Sequence, residues 1–247
     1  MKMILSAPGH PLLKMSLLLL ICGASAKAQS NLQYVEAVAI LTRYEIKKGH
    51  EKSFREVISN YVNRANTKES NIMAEGYYEE ENPSVVWIIE RWKSKDEFDK
   101  MQNDAKFKSL ELLSKLIKPA QIIPVKDLEP VSKDEWRKTP QKDDKPITIM
   151  LFVDSKAGTE DNFKDVYHTA MPQFRSEPGV INYQLSQLVE DSTQFVTYEK
   201  FRNEDAFQHH LKFPPIQPVI DYLNTSIKQQ PFQTGLHRLI EFAPAKR

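Results

Sequence analysis

The sequence predicts an α+β fold of two tandem ferredoxin-like units, each running strand, helix, strand, strand, helix, strand. Three observations lead there. An apolar stripe at helical spacing occurs twice, a strand and a helix start recur at the same offset, and a charged, proline-containing stretch separates the halves.

The first stripe is Phe54, Val57, Ile58, Tyr61, Val62 and Ala65, one face of a helix. The second is Phe163, Val166, Tyr167, Ala170, Met171 and Phe174, shifted by 109 residues at every position. A glycine turn precedes each helix, Lys48-Gly49-His50-Glu51 and Ala157-Gly158-Thr159-Glu160. A strand-like run precedes each turn, Val35 to Ile46 and Ile147 to Val153. Glu69 to Tyr77 and Glu177 to Ser186 supply the second strands. Trp87 to Trp92 and Thr197 to Phe201 supply the third, with Glu90 and Glu199 again 109 apart. Ser94-Lys95-Asp96-Glu97 predicts a capping box and Asn203 an N-cap, each starting a helix that carries Phe98 or Phe207. Ile122 to Leu128 and Leu236 to Phe242 are the last strands, completing the split β-α-β order.

In such a unit both helices cover one sheet face. Trp87, Ile89, Met150 and Tyr198 are too apolar to leave the other face in water. The two sheets are therefore expected to face each other across a shared barrel-like core. This predicts a monomer with an internal pseudo-twofold axis, a homodimer being the alternative. The expected domains are residues 33–130 and 147–245, joined by a linker over 131–146 within the poorly packing stretch Pro130 to Pro146.

The N-terminus reads as an address. Lys2 and Lys14 precede the apolar run Met15 to Ile21, and Ala26-Lys27-Ala28 has the small-x-small pattern of a signal-peptidase site. Residues 1–28 are thus a signal peptide cut after Ala28, which predicts a periplasmic or secreted protein. The run is too short to span a bilayer. A lipoprotein anchored through Cys22 is the less favoured alternative, because bulky Ile21 precedes the cysteine. The cut would remove Lys2, Lys14 and Lys27 from 34 basic residues and none of the 33 acidic ones, leaving 31 against 33. That balance excludes the basic field of a nucleic-acid binder. The sole cysteine departs as well, so no disulfide is available.

Several second-half motifs resemble the antibiotic-biosynthesis monooxygenase superfamily, the dimeric α+β barrels that include quinol monooxygenases. They are Glu177-Pro178-Gly179-Val180-Ile181-Asn182-Tyr183, Tyr198-Glu199-Lys200-Phe201, and Asp205-Ala206-Phe207-Gln208-His209-His210 followed by Pro214. The resemblance runs once through each copy. In the first copy Met101 stands at the place of His210, Ala105 at that of Pro214, and Glu69-Ser70-Asn71 replaces the glutamate-proline-glycine turn. The first copy is accordingly expected to close the barrel and the second to host the site.

The resemblance implies oxygen chemistry on a quinol or similar small aromatic, with dioxygen and without metal or flavin. A phenol bound in the barrel cavity would be deprotonated and its anion would reduce dioxygen. His210 is the candidate base, since an unperturbed imidazole titrates near pH 6.5. Tyr183 and Tyr198 are expected to bond the phenolate and Glu199 to orient the histidine. Tyr198, Phe201, Phe207 and Trp87 are expected to line the substrate space. The plainer readings are a histidine that braces a helix edge, a glutamate in a surface ion pair and core aromatics. His209 is expected in solvent, and His168 carries no assigned role. Adjacent His209 and His210 cannot share one helical face as metal ligands. The haem-degrading pattern lacks its histidine, the corresponding places being Glu111 and Ile220. The alternatives to an enzyme of this kind are a non-catalytic small-molecule-binding barrel or an isomerase of the same superfamily.

Overall fold

The computed structural model describes residues 37–103, 117–128 and 137–245. The signal segment, its cut after Ala28, Cys22, Ala105, Glu111 and part of the linker lie outside the described residues. The first copy contains β1 (Val38–Glu45), α1 (Glu51–Ala65), β2 (Asn71–Glu79), β3 (Val85–Trp92), α2 (Lys95–Asn103) and β4 (Gln121–Asp127). The second contains β5 (Ile147–Asp154), α3 (Glu160–Ser176), β6 (Val180–Leu188), β7 (Gln194–Phe201), α4 (Glu204–His210), α5 (Gln217–Thr225) and β8 (Leu236–Ala243). The sequence pattern did not anticipate α5. No helix among the described residues is long and apolar enough to cross a membrane.

Local chemistry explains the starts of these elements. Gly49 and Gly158 sit at φ +92° and +85°, a left-handed conformation that a side chain would strain. The Asn203 side chain accepts from the Ala206 amide at 2.9 Å and caps α4. Ser94 caps α2 through the Glu97 amide at 3.3 Å. The reciprocal half of the predicted box is not made: the Glu97 carboxylate meets Ser70 and Lys100 instead.

Each copy forms an antiparallel sheet, ordered β4-β1-β3-β2 in the first and β8-β5-β7-β6 in the second. Edge strand β2 pairs with β8 and β4 pairs with β6, so eight strands close into one barrel. Closure removes every edge that could template pairing with another chain. The two seams are equivalent: the Glu80 amide bonds the Arg238 carbonyl at 2.9 Å, and the Val189 amide bonds the Pro124 carbonyl at 3.0 Å. Ion pairs also match across the pseudo-twofold, Arg91 with Asp127 at 2.7 Å beside one seam and Lys200 with Glu241 beside the other.

Three cores follow from the period-two alternation of the strands. One, around Phe54, Ile58, Val62 and Trp92, lies between the first sheet and its helices. A second, around Phe163, Tyr167, Phe174 and Phe201, lies between the second sheet and its helices. The third fills the barrel and includes Trp87, Ile89, Met150 and Tyr198, as their apolar character required.

The barrel interior also holds buried charges, which the sequence reading did not anticipate. Glu75 is fully buried there and accepts from Tyr77 at 2.6 Å, from Tyr198, from Arg137 at 3.1 Å and from Lys200 at 3.2 Å. Burial alone would raise the Glu75 pKa, but Lys200, Arg137 and the two phenols outweigh it and hold it at about 2. Arg137 belongs to the stretch expected to pack poorly. Its described part, residues 137–146, is instead knit to the second copy through Lys138 to Ile181 and Lys145 to Arg202, with Arg137 drawn in as a counter-charge.

Candidate functional site

The second copy's glutamate-proline-glycine turn joins α3 to β6 and lies against α4. The Gly179 carbonyl accepts from the Arg202 amide at 2.8 Å. A Cβ on Gly179 would fall 2.4 Å from the Ala206 Cβ, so only a residue without a side chain lets α4 come this close. Gly179→Val should therefore push α4 outward and displace His210. We expect a loss of about 1–3 kcal/mol in denaturant unfolding, the usual cost of overpacking; an unchanged midpoint would contradict this contact.

The close approach puts two histidines of α4 on one carboxylate. Glu177 is buried, and its Oε1 lies 2.7 Å from His210 Nδ1 while its Oε2 lies 3.2 Å from His209 Nδ1. A carboxylate accepts, so His210 Nδ1 carries a proton toward it, and Nε2 is the ring nitrogen that Glu177 leaves open. His210 is only 1 % exposed, and Nε2 has no hydrogen-bond partner among the described residues. The rings of Phe174, Tyr183 and Phe201 pack around it at 4.8, 5.3 and 5.1 Å.

His210 shares a cavity of about 50 Å³ with Tyr167, Tyr183, Glu199 and Phe207, closed over by Leu211, Ile216, α5 and Phe232. The Tyr183 hydroxyl bonds both Glu199 and Tyr167, and Glu199 Oε1 accepts from Thr197 at 2.6 Å. Burial raises the Glu199 carboxyl above its usual range, and the attraction of His210 and the hydroxyls of Thr197 and Tyr183 do not offset it. The phenols of Tyr183 and Tyr167 are raised too, chiefly by burial and then by Glu199. The site is thus an aromatic-walled space lined by the His210 imidazole and by a carboxyl whose burial favours its protonated form.

The structure divides the residues singled out in the sequence. His210, Tyr183, Glu199, Phe201 and Phe207 belong to the helix side of the second sheet. Tyr198 and Trp87 face the barrel interior, with Tyr198 committed to Glu75 and Tyr77. Adjacent strand residues point to opposite faces, so Tyr198 cannot join Glu199 at one site. His210 and its neighbours thus lie between sheet and helices, not in the barrel interior where the site was expected. Glu177, not Glu199, orients His210. His209, as expected, is largely solvent-exposed, but it is tied to Glu177. Glu177 and Tyr167 are the residues that sequence reasoning left without a role. Their signals were the turn motif and a tyrosine within an apolar stripe.

The first copy lacks this arrangement. Equivalent turn hydrogen bonds, Val180 amide to Glu177 carbonyl and Asn71 amide to Lys68 carbonyl, align Lys68 with Glu177. The replacing turn is therefore Lys68-Glu69-Ser70, one residue earlier than expected. Ala74 pairs with Glu90 as Tyr183 pairs with Glu199, and buried Met101 takes the place of His210. Glu90 is retained but buried, bonded by Tyr61 at 2.6 Å and by Trp92 at 3.1 Å.

Comparison with known proteins agrees with this architecture. A candidate monooxygenase from Lactobacillus acidophilus superposes with a TM-score of 0.69 at 14% identity, covering 85% of this chain and 97% of its own. One from Fusobacterium nucleatum gives 0.67 at 16%, covering 86% and 94%. An anthrone oxidase-like protein gives 0.58 at 8%, covering 86% and 94%. At these identities the likeness is one of fold. A search of the curated proteins finds no match. The antibiotic biosynthesis monooxygenase family model matches twice, over residues 37–110 and 146–220. With one match in each half of the barrel, the chain belongs to the antibiotic biosynthesis monooxygenase family.

Proposed function

We propose that this protein is an exported, monomeric monooxygenase that oxidises a quinol or similar electron-rich phenol with dioxygen, using the second-copy pocket and neither metal nor flavin. The observation that carries the reading is His210: a buried imidazole with Nδ1 held by Glu177 and Nε2 unpartnered on the wall of an aromatic cavity. An unpartnered buried polar atom calls for a ligand or a water, and a positioned imidazole is suited to general-base work. In this reading Nε2 takes the acidic proton of the substrate. The resulting anion is the sole reductant of dioxygen, one oxygen atom entering the ring system and the other leaving as water. Family membership and the fold of the neighbouring candidate monooxygenases support the assignment.

The cavity as it stands holds little more than water, whereas an aromatic ring needs on the order of 150 Å³. Substrate entry in this reading therefore requires Leu211, Ile216 and α5 to move away from the sheet. The closed state is also what favours the rival reading, a non-catalytic binding barrel. Dioxygen uptake by the purified protein, across a panel of hydroquinones and anthrone-like phenols without added metal or flavin, separates the two. Uptake above the spontaneous rate supports the enzyme. Tight binding of a panel member without uptake points to the carrier, and the absence of both would sink the reading of this pocket.

A further inference from the structure

We propose that Glu199 is the proton donor that breaks the O–O bond in this reaction, the acid opposite the His210 base. The inference rests on the monooxygenase reading of the pocket. Its starting point is that Glu177 already performs the task a second carboxylate would otherwise have: it fixes the His210 ring through Nδ1 at 2.7 Å. Glu199 is left on the cavity wall with a different set of neighbours. The Thr197 hydroxyl from its own strand, the Tyr183 hydroxyl from β6 and the His210 ring from α4 act on it, with Tyr167 of α3 behind Tyr183. Burial at this position, relieved by no lysine or arginine among the influences on it, favours the neutral acid over the carboxylate.

A carboxyl whose burial favours its protonated form and an imidazole lining the same cavity form a complementary pair for a two-stage oxidation. The substrate class is a phenol whose keto tautomer carries an acidic ring methylene group. His210 Nε2 removes one proton from that methylene, and the carbanion adds dioxygen to form a C–O bond. The proton returns from His210 to the terminal oxygen, giving a secondary alkyl hydroperoxide. In the second stage His210 removes the remaining C–H proton, and the C=O bond forms as the O–O bond breaks. Glu199 delivers its proton to the departing oxygen, which leaves as water. Solvent exchange returns the proton from His210 to Glu199. In sum, the methylene compound and one dioxygen become the ketone and one water, with the carbon giving up four electrons and no outside reductant.

The step predicts a separable defect. Glu199→Gln keeps the acceptor for Thr197 and is of similar size, but it cannot release a proton. With anthrone as probe, the full-length variant should still take up dioxygen in a substrate-dependent way. Ketone formed per dioxygen should fall by about tenfold or more, with organic hydroperoxide accumulating in its place. Should the glutamine variant not fold, Glu199→Asp draws the acid back by one methylene and gives the same readout. Full coupling without peroxide in a folded variant would overturn the proposal. So would complete loss of uptake, because Glu199 would then act before oxygen addition. Absence of uptake by the unmodified protein across the phenol panel is a different result, and it removes the monooxygenase reading itself.

Discussion

His210→Ala should lower the rate of phenol-dependent dioxygen uptake by about 10²–10⁴-fold, the range that a positioned general base contributes. The imidazole is buried in the cavity wall, and its Nε2 has no hydrogen-bond partner among the described residues. Glu177→Gln tests the same machinery from behind. A carboxylate can only accept from Nδ1, which fixes the tautomer whose Nε2 is basic. A glutamine amide can turn its NH2 toward Nδ1 and stabilise the opposite tautomer, with the proton on Nε2. The expected loss is about 10²-fold with little change in substrate affinity, since Glu177 is a positioning residue that does not line the cavity. Steady-state rates with both variants check this. A Glu177→Gln protein with the unmodified rate would show that the ring needs no orientation, and His210→Ala at full rate would remove the base from the scheme.

The fold was legible because it is written twice. Helix stripe, third strand and helix start all recur at an offset of 109, and local periodicity defines elements well when two copies agree. The site was only half legible. Alternation along β7 already forbids Tyr198 and Glu199 from sharing a face, so their joint assignment broke a rule visible in the sequence. Glu177 was hidden for another reason: its motif signalled a turn, and nothing local says that Gly179 lets α4 bring two histidines onto that carboxylate. The roof of the cavity was not legible at all, because α5 has no counterpart in the repeat pattern used to find the elements. Long-range pairing hid the barrel's charges as well. Glu75 meets Lys200 across 125 residues of chain and a seam between the copies.

Buried carboxyls on the two faces of the first sheet predict stability changes of opposite sign. Glu75→Gln leaves Lys200 and Arg137 without their shared carboxylate inside the barrel, and breaking such a buried group should cost about 3–5 kcal/mol near neutral pH. The sign follows from linkage. The Glu75 pKa is lowered from 4.5 to about 2 on folding, so its stabilisation is fully present above 4.5 and is lost as the pH falls toward 2. Glu90 behaves in reverse. Burial, only partly offset by Tyr61 and Trp92, raises its pKa from 4.5 to about 7, and its second carboxyl oxygen is buried without a partner among the described residues. The protonated form is favoured on folding, so stability is highest below 4.5 and declines as the pH rises to about 7, by about 3 kcal/mol in all. Glu90→Gln retains an acceptor for Tyr61 and Trp92 but has no proton to lose. It should therefore be as stable as the unmodified protein at pH 4.5 and more stable at pH 8. Urea titrations at the two pH values measure both effects. A Glu90→Gln protein less stable than the parent at pH 8 would mean that the carboxylate is compensated, and the first copy would then hold a charge that its neighbours stabilise.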